Sequence, residues 1–164
     1  MRWTLASAAA AILAMLLQTT VLPALLPRGF VPNLLLVLVV WLGLRQRGVG
    51  GAVGAFLLGY FLDTFSGTIL GLNAFAFTAV YLGVYLVGRT LWTEGGGPMA
   101  VAVVFAAALL HAAAAVSLTW LVEAGAPIWH HAWRYGLLEA GLAALVTPAV
   151  FVFLGWEQRL LGLA

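Results

Sequence analysis

Three residues in a chain of membrane-helix composition could move a proton: Asp63, His111 and Glu139. A carboxylate at a lipid-facing helix centre costs roughly 2.5–3.5 kcal/mol. Asp63, in the run Gly59-Tyr60-Phe61-Leu62-Asp63-Thr64-Phe65-Ser66-Gly67, therefore belongs against protein or in a wet cavity. A structural reading makes it an acceptor for backbone amides or for Ser66 and Thr68. A chemical reading makes it a ligand-binding or proton-carrying acid. The structural reading is preferred, because a transporter usually shows more than one such group. His111 lies mid-way along an alanine-rich segment, and Glu139 about two turns into the last apolar one. A histidine with two acids in the membrane can relay protons. It can equally make interhelical hydrogen bonds that fix packing, each worth under about 2 kcal/mol, and packing is the preferred account.

Other candidate chemistry is thinner. His130-His131 before Trp133 suggests a metal, but adjacent histidines point apart on a helix and no third ligand is near; interfacial polar residues explain them better. Gly48-Val49-Gly50-Gly51 and Gly95-Gly96-Gly97 follow no strand and do not match the phosphate-loop pattern, which needs a Lys and a Ser or Thr at fixed spacing. Glu123 and Arg134 flank one outer loop and read as solvated loop ends. There is no Ser-His-Asp arrangement, metal-ligand spacing or nucleotide fingerprint. The expectation is a protein without catalysis, cofactor or metal.

The elements that must position these residues are membrane helices. The chain of 164 residues is 65% hydrophobic and 7% charged, with a mean hydropathy of +1.12, whereas soluble domains carry about a quarter charged residues. Its net charge of +2 comes from seven arginines without lysine, too few and too scattered for a nucleic-acid surface. The lack of cysteine excludes disulfides and cysteine-ligated metal. Spans need about 20 apolar residues, and six segments fit: 3–22, ended by Pro23 and Pro27; 32–44, opened by Pro32 and stopped by Arg45-Gln46-Arg47; 49–63; 72–91; 99–122; and 133–156, with a kink expected at Pro148. The first reads as a retained helix rather than a signal peptide. The second and third are short, either a hairpin that stops part-way with 64–70 returning as a loop, or ordinary spans; spans are preferred. Arg2, Arg45, Arg47, Arg89 and Arg159 then fall inside and Arg28 and Arg134 outside, placing both termini in the cytoplasm. Trp3, Trp92, Trp129, Trp133 and Trp156 cluster near the boundaries. The loops are short, and residues 1–164 read as one transmembrane domain.

Gly51, Ala55, Gly59 and Asp63 recur every four residues, so they share one helix face. Small residues at that spacing let helices approach closely. The stripe turns Asp63 toward another helix, and it serves either internal packing or the docking of a partner helix. Gly136, Ala140, Ala144 and Pro148 form a second stripe, with Glu139 beside it.

Val31-Pro32-Asn33-Leu34-Leu35-Leu36, the aromatic Trp41, Arg47, Gly54-Ala55-Phe56-Leu57-Leu58-Gly59, Leu62-Asp63, Ser66-Gly67 and Leu70-Gly71 closely resemble the rod shape-determining MreD family. The matching motif is Pro-Asn at the head of an apolar helix, a basic turn, then Gly-x-x-x-Asp-x-x-Ser-Gly-x-x-x-Gly, over about residues 32–71; Pro32, Asn33, Gly59, Asp63, Ser66, Gly67 and Gly71 carry it. The rest of the chain matches in helix layout. The resemblance implies an all-α, polytopic membrane helix bundle similar to the six-helix substrate-binding subunit of energy-coupling-factor transporters. It implies a non-catalytic inner-membrane component of the bacterial cell-elongation machinery that supports peptidoglycan synthesis. The implied partners are MreC, through its membrane helix, and more indirectly MreB, RodA and its penicillin-binding transpeptidase.

Two rival functions share this architecture. A vitamin-binding transporter subunit would line an outward pocket with Asp63, Ser66, Asn73 and Glu123, and would dock its coupling subunit through Ala6, Ala10 and Ala14. A proton-coupled transporter would use Asp63, His111 and Glu139.

Overall fold

A computed structural model describes residues 10–25, 31–46, 48–66, 70–91, 97–122 and 129–160, and these form six helices with no strand among the described residues. Helix α1 spans residues 10–25 and includes a π-helical stretch, Leu17–Val21, followed by Leu22–Leu25. Then come α2 (Leu34–Arg45), α3 (Val49–Ser66), α4 (Leu72–Leu91), α5 (Gly97–Val122) and α6 (Trp129–Leu160). Met99–Ser117 and Gly136–Trp156 are long and apolar enough to cross a membrane, and shorter apolar stretches occupy Ala10–Ala24, Leu34–Arg45, Val49–Phe65 and Leu72–Gly88. Large apolar side chains face outward on every helix except α2, among them Ile12, Leu57, Phe75, Leu110 and Leu145. Such a surface suits lipid and not water. The molecule is an all-α membrane helix bundle.

Helix α2 is its axis. Every residue from Leu34 to Leu44 is buried, and α2 packs against α3, α4, α5 and α6. A helix apolar on all faces must be enclosed on all faces, and between Leu34 and Leu44 the indole N–H of Trp41 is the one polar side-chain group of α2. Its twelve residues reach about 18 Å at 1.5 Å per residue, well short of a hydrocarbon core of about 30 Å. The eighteen residues of α3 reach about 27 Å. The second and third segments therefore differ in kind: α3 comes close to the thickness of a span, whereas α2 begins inside the bundle. At the other end of α2, Arg45 lays its guanidinium over Trp41 at 4.6 Å, and Trp41 meets Phe151 edge-on at 4.9 Å.

Around this axis, α3 and α4 form one closely packed antiparallel pair and α5 and α6 another, with α4 also packed on α5. The described helices depart from the sequence reading in three places. Helix α1 continues through Pro23 to Leu25 instead of ending there. Pro23 has no N–H to return to Thr19, and the ladder upstream has already slipped by one residue, the Leu22 N–H bonding to Leu17 O. Helix α3 runs three residues past Asp63, so 64–66 are helical and not loop. Helix α6 starts at Trp129 and continues through Pro148 as one element.

Candidate functional site

The polar side chains inside the bundle gather at the first turns of α2 and α4. A helix start leaves four N–H groups without intrahelical partners, and away from water each must be met by a protein acceptor. At α4 the residue in the cap position is Gly71, whose carbonyl accepts the Phe75 N–H at 2.9 Å. Its φ of 93° is a left-handed value that glycine adopts without a Cβ clash, but glycine brings no side chain to cap with. Asp63 supplies the missing acceptor from α3. Its Oδ2 accepts from the N–H groups of Gly71 at 2.9 Å and Ala74 at 3.2 Å, and its Oδ1 from Asn73 N–H at 3.1 Å and Asn73 Nδ2 at 2.8 Å. The carboxyl group is 2% exposed. A negative group here also meets the positive end of the α4 dipole.

The close approach that makes this possible comes from Gly59. A Cβ on that residue would lie 2.5 Å from Ala74 Cα and N, which is backbone and cannot move aside. Ala55 is fully buried one turn back. At Gly51 a Cβ would come within 2.6 Å of the Tyr81 ring. The Tyr81 hydroxyl sits 2.8 Å from Gln46 O and 3.0 Å from Gly48 O, donating into the carbonyls of the α2–α3 turn. The face marked by Gly51, Ala55, Gly59 and Asp63 is thus covered by α4 of the same chain. The second stripe is likewise turned inward for most of its length: Ala140 and Ala144 are buried, and a Cβ on Gly136 would meet Ala112 Cβ at 3.0 Å, while Pro148 is exposed.

Asn73 passes the network on to α5. Both Asp63 oxygens are occupied as acceptors, so Asn73 presents its Nδ2 to Asp63 and its Oδ1 to His111 Nε2, 3.1 Å away. That orientation requires the His111 proton on Nε2. His111 is buried against Phe77, with ring centroids 5.2 Å apart.

At α2 the main cap is local. Asn33 is the cap residue, and its Oδ1 accepts the Leu36 N–H at 3.0 Å. Its Nδ2 donates to Glu139 Oε1 of α6 at 3.0 Å, and Gln18 Oε1 of α1 accepts the Leu35 N–H at 3.4 Å. Pro32 is buried just before the cap. Among the described residues no buried side-chain nitrogen or oxygen lacks a hydrogen-bond partner.

The sequence-derived candidates therefore separate into two groups. Asp63 and His111 are joined through Asn73, and Glu139 is tied to Asn33. Gly67, Thr68, Glu123 and Ala6, with the side chains of Ser66, His130, His131, Trp133 and Arg134, lie outside the described residues. The sequence reading did not anticipate the linking role of Asn73 or the caps made by Gln18 and Tyr81. Asn73 did carry a signal: a side-chain amide in the first turn of a helix, ten residues after a buried acid.

Two cavities lie away from this network. One, of about 330 Å³, is walled by apolar side chains of α1, α2 and α6, including Leu13, Leu17, Leu38, Val150 and Phe153. The other, of about 560 Å³, lies between α1, α2 and α3 and is lined by Ile12, Leu42, Val53, Leu57 and Phe61, with Gln46 and Tyr60 at its edge. Gly50 and Gly54 face this second cavity. A Cβ on Gly50 would meet nothing within 4 Å, and one on Gly54 only Leu42 Cδ1 at 3.8 Å.

A helical body whose interior polar groups bond to one another and to its own helix starts, with an apolar exterior, is a polytopic membrane helix bundle in its architecture. A family model described as rod shape-determining protein MreD matches residues 2–156. The chain belongs to that family, and with it to the proteins that determine rod shape. No curated protein and no solved structure matches it, so likeness to the energy-coupling-factor subunit rests on the family resemblance alone.

Proposed function

We propose that this protein is a non-catalytic scaffold of the rod complex in the bacterial inner membrane. In this reading the single domain crosses the bilayer six times, α2 as a short crossing enclosed by the other helices, with both termini in the cytoplasm. It holds the membrane helix of MreC, and through MreC supports peptidoglycan synthesis by RodA and its penicillin-binding transpeptidase, with MreB linked indirectly. One observation carries this: Asp63, Asn73 and His111 are bonded to one another and to the start of α4, and Asn33 to Glu139 and the start of α2, while the two cavities described among these helices are lined almost entirely by apolar side chains. A transporter subunit for a polar vitamin needs the reverse, polar groups turned into a pocket. An apolar groove with a glycine edge suits a helix, because lipid-embedded helices associate through close packing.

The groove beside Gly50 and Gly54 is the proposed seat of the MreC helix, since the Gly51–Ala55–Gly59 face is taken by α4. Gly54→Leu projects a side chain into the groove and is tolerated by the fold. Co-expression followed by detergent extraction should recover this variant at normal yield with MreC co-purification reduced at least tenfold. Undiminished MreC recovery would place the partner elsewhere, and no recovery with the unaltered chain would sink the scaffold reading.

A further inference from the structure

Helix α1 is held to the bundle along only half its length. Ala10 and Met15 are buried, Ala10 packing with Leu38, Trp41 and Leu154, and Ala11 and Ala14 also pack on the core. From Leu16 to Ala24 no side chain is buried: Leu16 is 56% exposed, Val21 41%, Thr19, Thr20, Pro23 and Ala24 are also exposed, and Gln18 and Leu22 are half-buried. The change falls at the π-helical stretch Leu17–Val21. There the hydrogen-bond ladder slips ahead of Pro23, and such slips mark places where a helix bends. The α6-side cavity runs along this half, lined by Leu17 and Leu22, whereas the α3-side cavity touches α1 only at Ala11 and Ile12. Among the described residues the outer half has one polar tie to the body, Gln18 Oε1 on Leu35 N–H, at a long 3.4 Å.

We infer that α1 is a strap: its inner half is fixed, and its outer half, from Leu17 to Leu25, swings at the π-helical stretch, with Gln18 on the start of α2 as the latch. The neighbouring N–H of Leu36 is capped locally by Asn33, so release of the latch frees one backbone group and leaves the rest of the α2 cap intact. Swinging outward would merge the α6-side cavity with the surrounding lipid and bare Leu34 and Leu38 of the central helix. The inference concerns this chain alone and stands or falls separately from the binding of MreC.

The chain has no cysteine, so introduced cysteines report cleanly. Spin labels on the full chain in lipid nanodiscs, without a partner, compare an inner pair, Ile12→Cys with Val53→Cys, and an outer pair, Thr20→Cys with Phe65→Cys; all four positions are exposed. The strap predicts one narrow distance for the inner pair and a broad or two-peaked distribution for the outer pair. Gln18→Ala should shift the outer distribution to longer distances by at least twofold in population. Pro23→Ala, which restores the missing N–H, should narrow it. Equally narrow distributions for both pairs, or equally broad ones, would overturn the inference, as would an outer pair unmoved by both substitutions.

Discussion

The two interior helix starts solve one problem in opposite ways. Helix α2 is capped chiefly by Asn33, three residues from the N–H it serves, with Gln18 of α1 a longer second acceptor. Helix α4 is capped by Asp63 from the neighbouring helix, because Gly71 holds the cap position and has nothing to offer. A local cap needs only its own turn to be formed. A borrowed cap exists only when α3 and α4 are already packed, so it makes the start of α4 conditional on tertiary structure and ties the pair together at that end. The same carboxylate orients Asn73 and, through it, His111. One acid thereby joins α3, α4 and α5.

Breaking the borrowed cap should have the larger effect. Asp63→Ala leaves the N–H groups of Gly71, Asn73 and Ala74 without their acceptor, each orphaned group costing about 1–3 kcal/mol. We expect a loss of roughly 4 kcal/mol or more, read as a collapse in the yield of folded protein and in its thermal midpoint in detergent. Asp63→Asn keeps one acceptor oxygen and the shape. It should lose about half as much and retain partner binding where folded protein persists. Full expression with abolished partner binding would instead make Asp63 a direct binding residue.

Breaking the local cap should cost less. Asn33→Ala removes the Leu36 acceptor and the tie to Glu139, and a lost N-cap is worth about 0.5–2 kcal/mol. A thermal midpoint lowered as far as that of Asp63→Ala would erase the distinction between the two starts. The smallest effect belongs to His111, the far end of the network. Single interhelical hydrogen bonds in membranes average about 0.6 kcal/mol, so His111→Gln, which can still donate to Asn73, should shift the midpoint little. Nitrogen-15 chemical shifts of His111 should report a proton on Nε2; a proton on Nδ1 alone would contradict the chain of donors from Asn73.

Much of this was readable before any coordinates. Four-residue spacing put Asp63 on the same face as Gly51, Ala55 and Gly59, and an acid on a small-residue face has a helix opposite it. Asn33 after Pro32 marks a helix start by its chemistry. The enclosure of α2 also had a signal, an apolar run with no polar face, although length alone made it look like a short span. The course of α1 through Pro23 was harder to read, because a proline both ends helices and, with a slipped ladder, sits inside them.

The order of residues by itself determined the solvent and the helices. Composition rules out a water-soluble core, and the spans, the turns and the Asn33 cap follow from interactions within a few residues of one another. Only the tertiary structure decided which helix stands at the centre, which acid caps which helix, and that α4 fills the face a partner could have used. Those outcomes depend on distances between groups far apart in the chain, such as Asn33 and Glu139 or Asn73 and His111, and no local propensity encodes such distances.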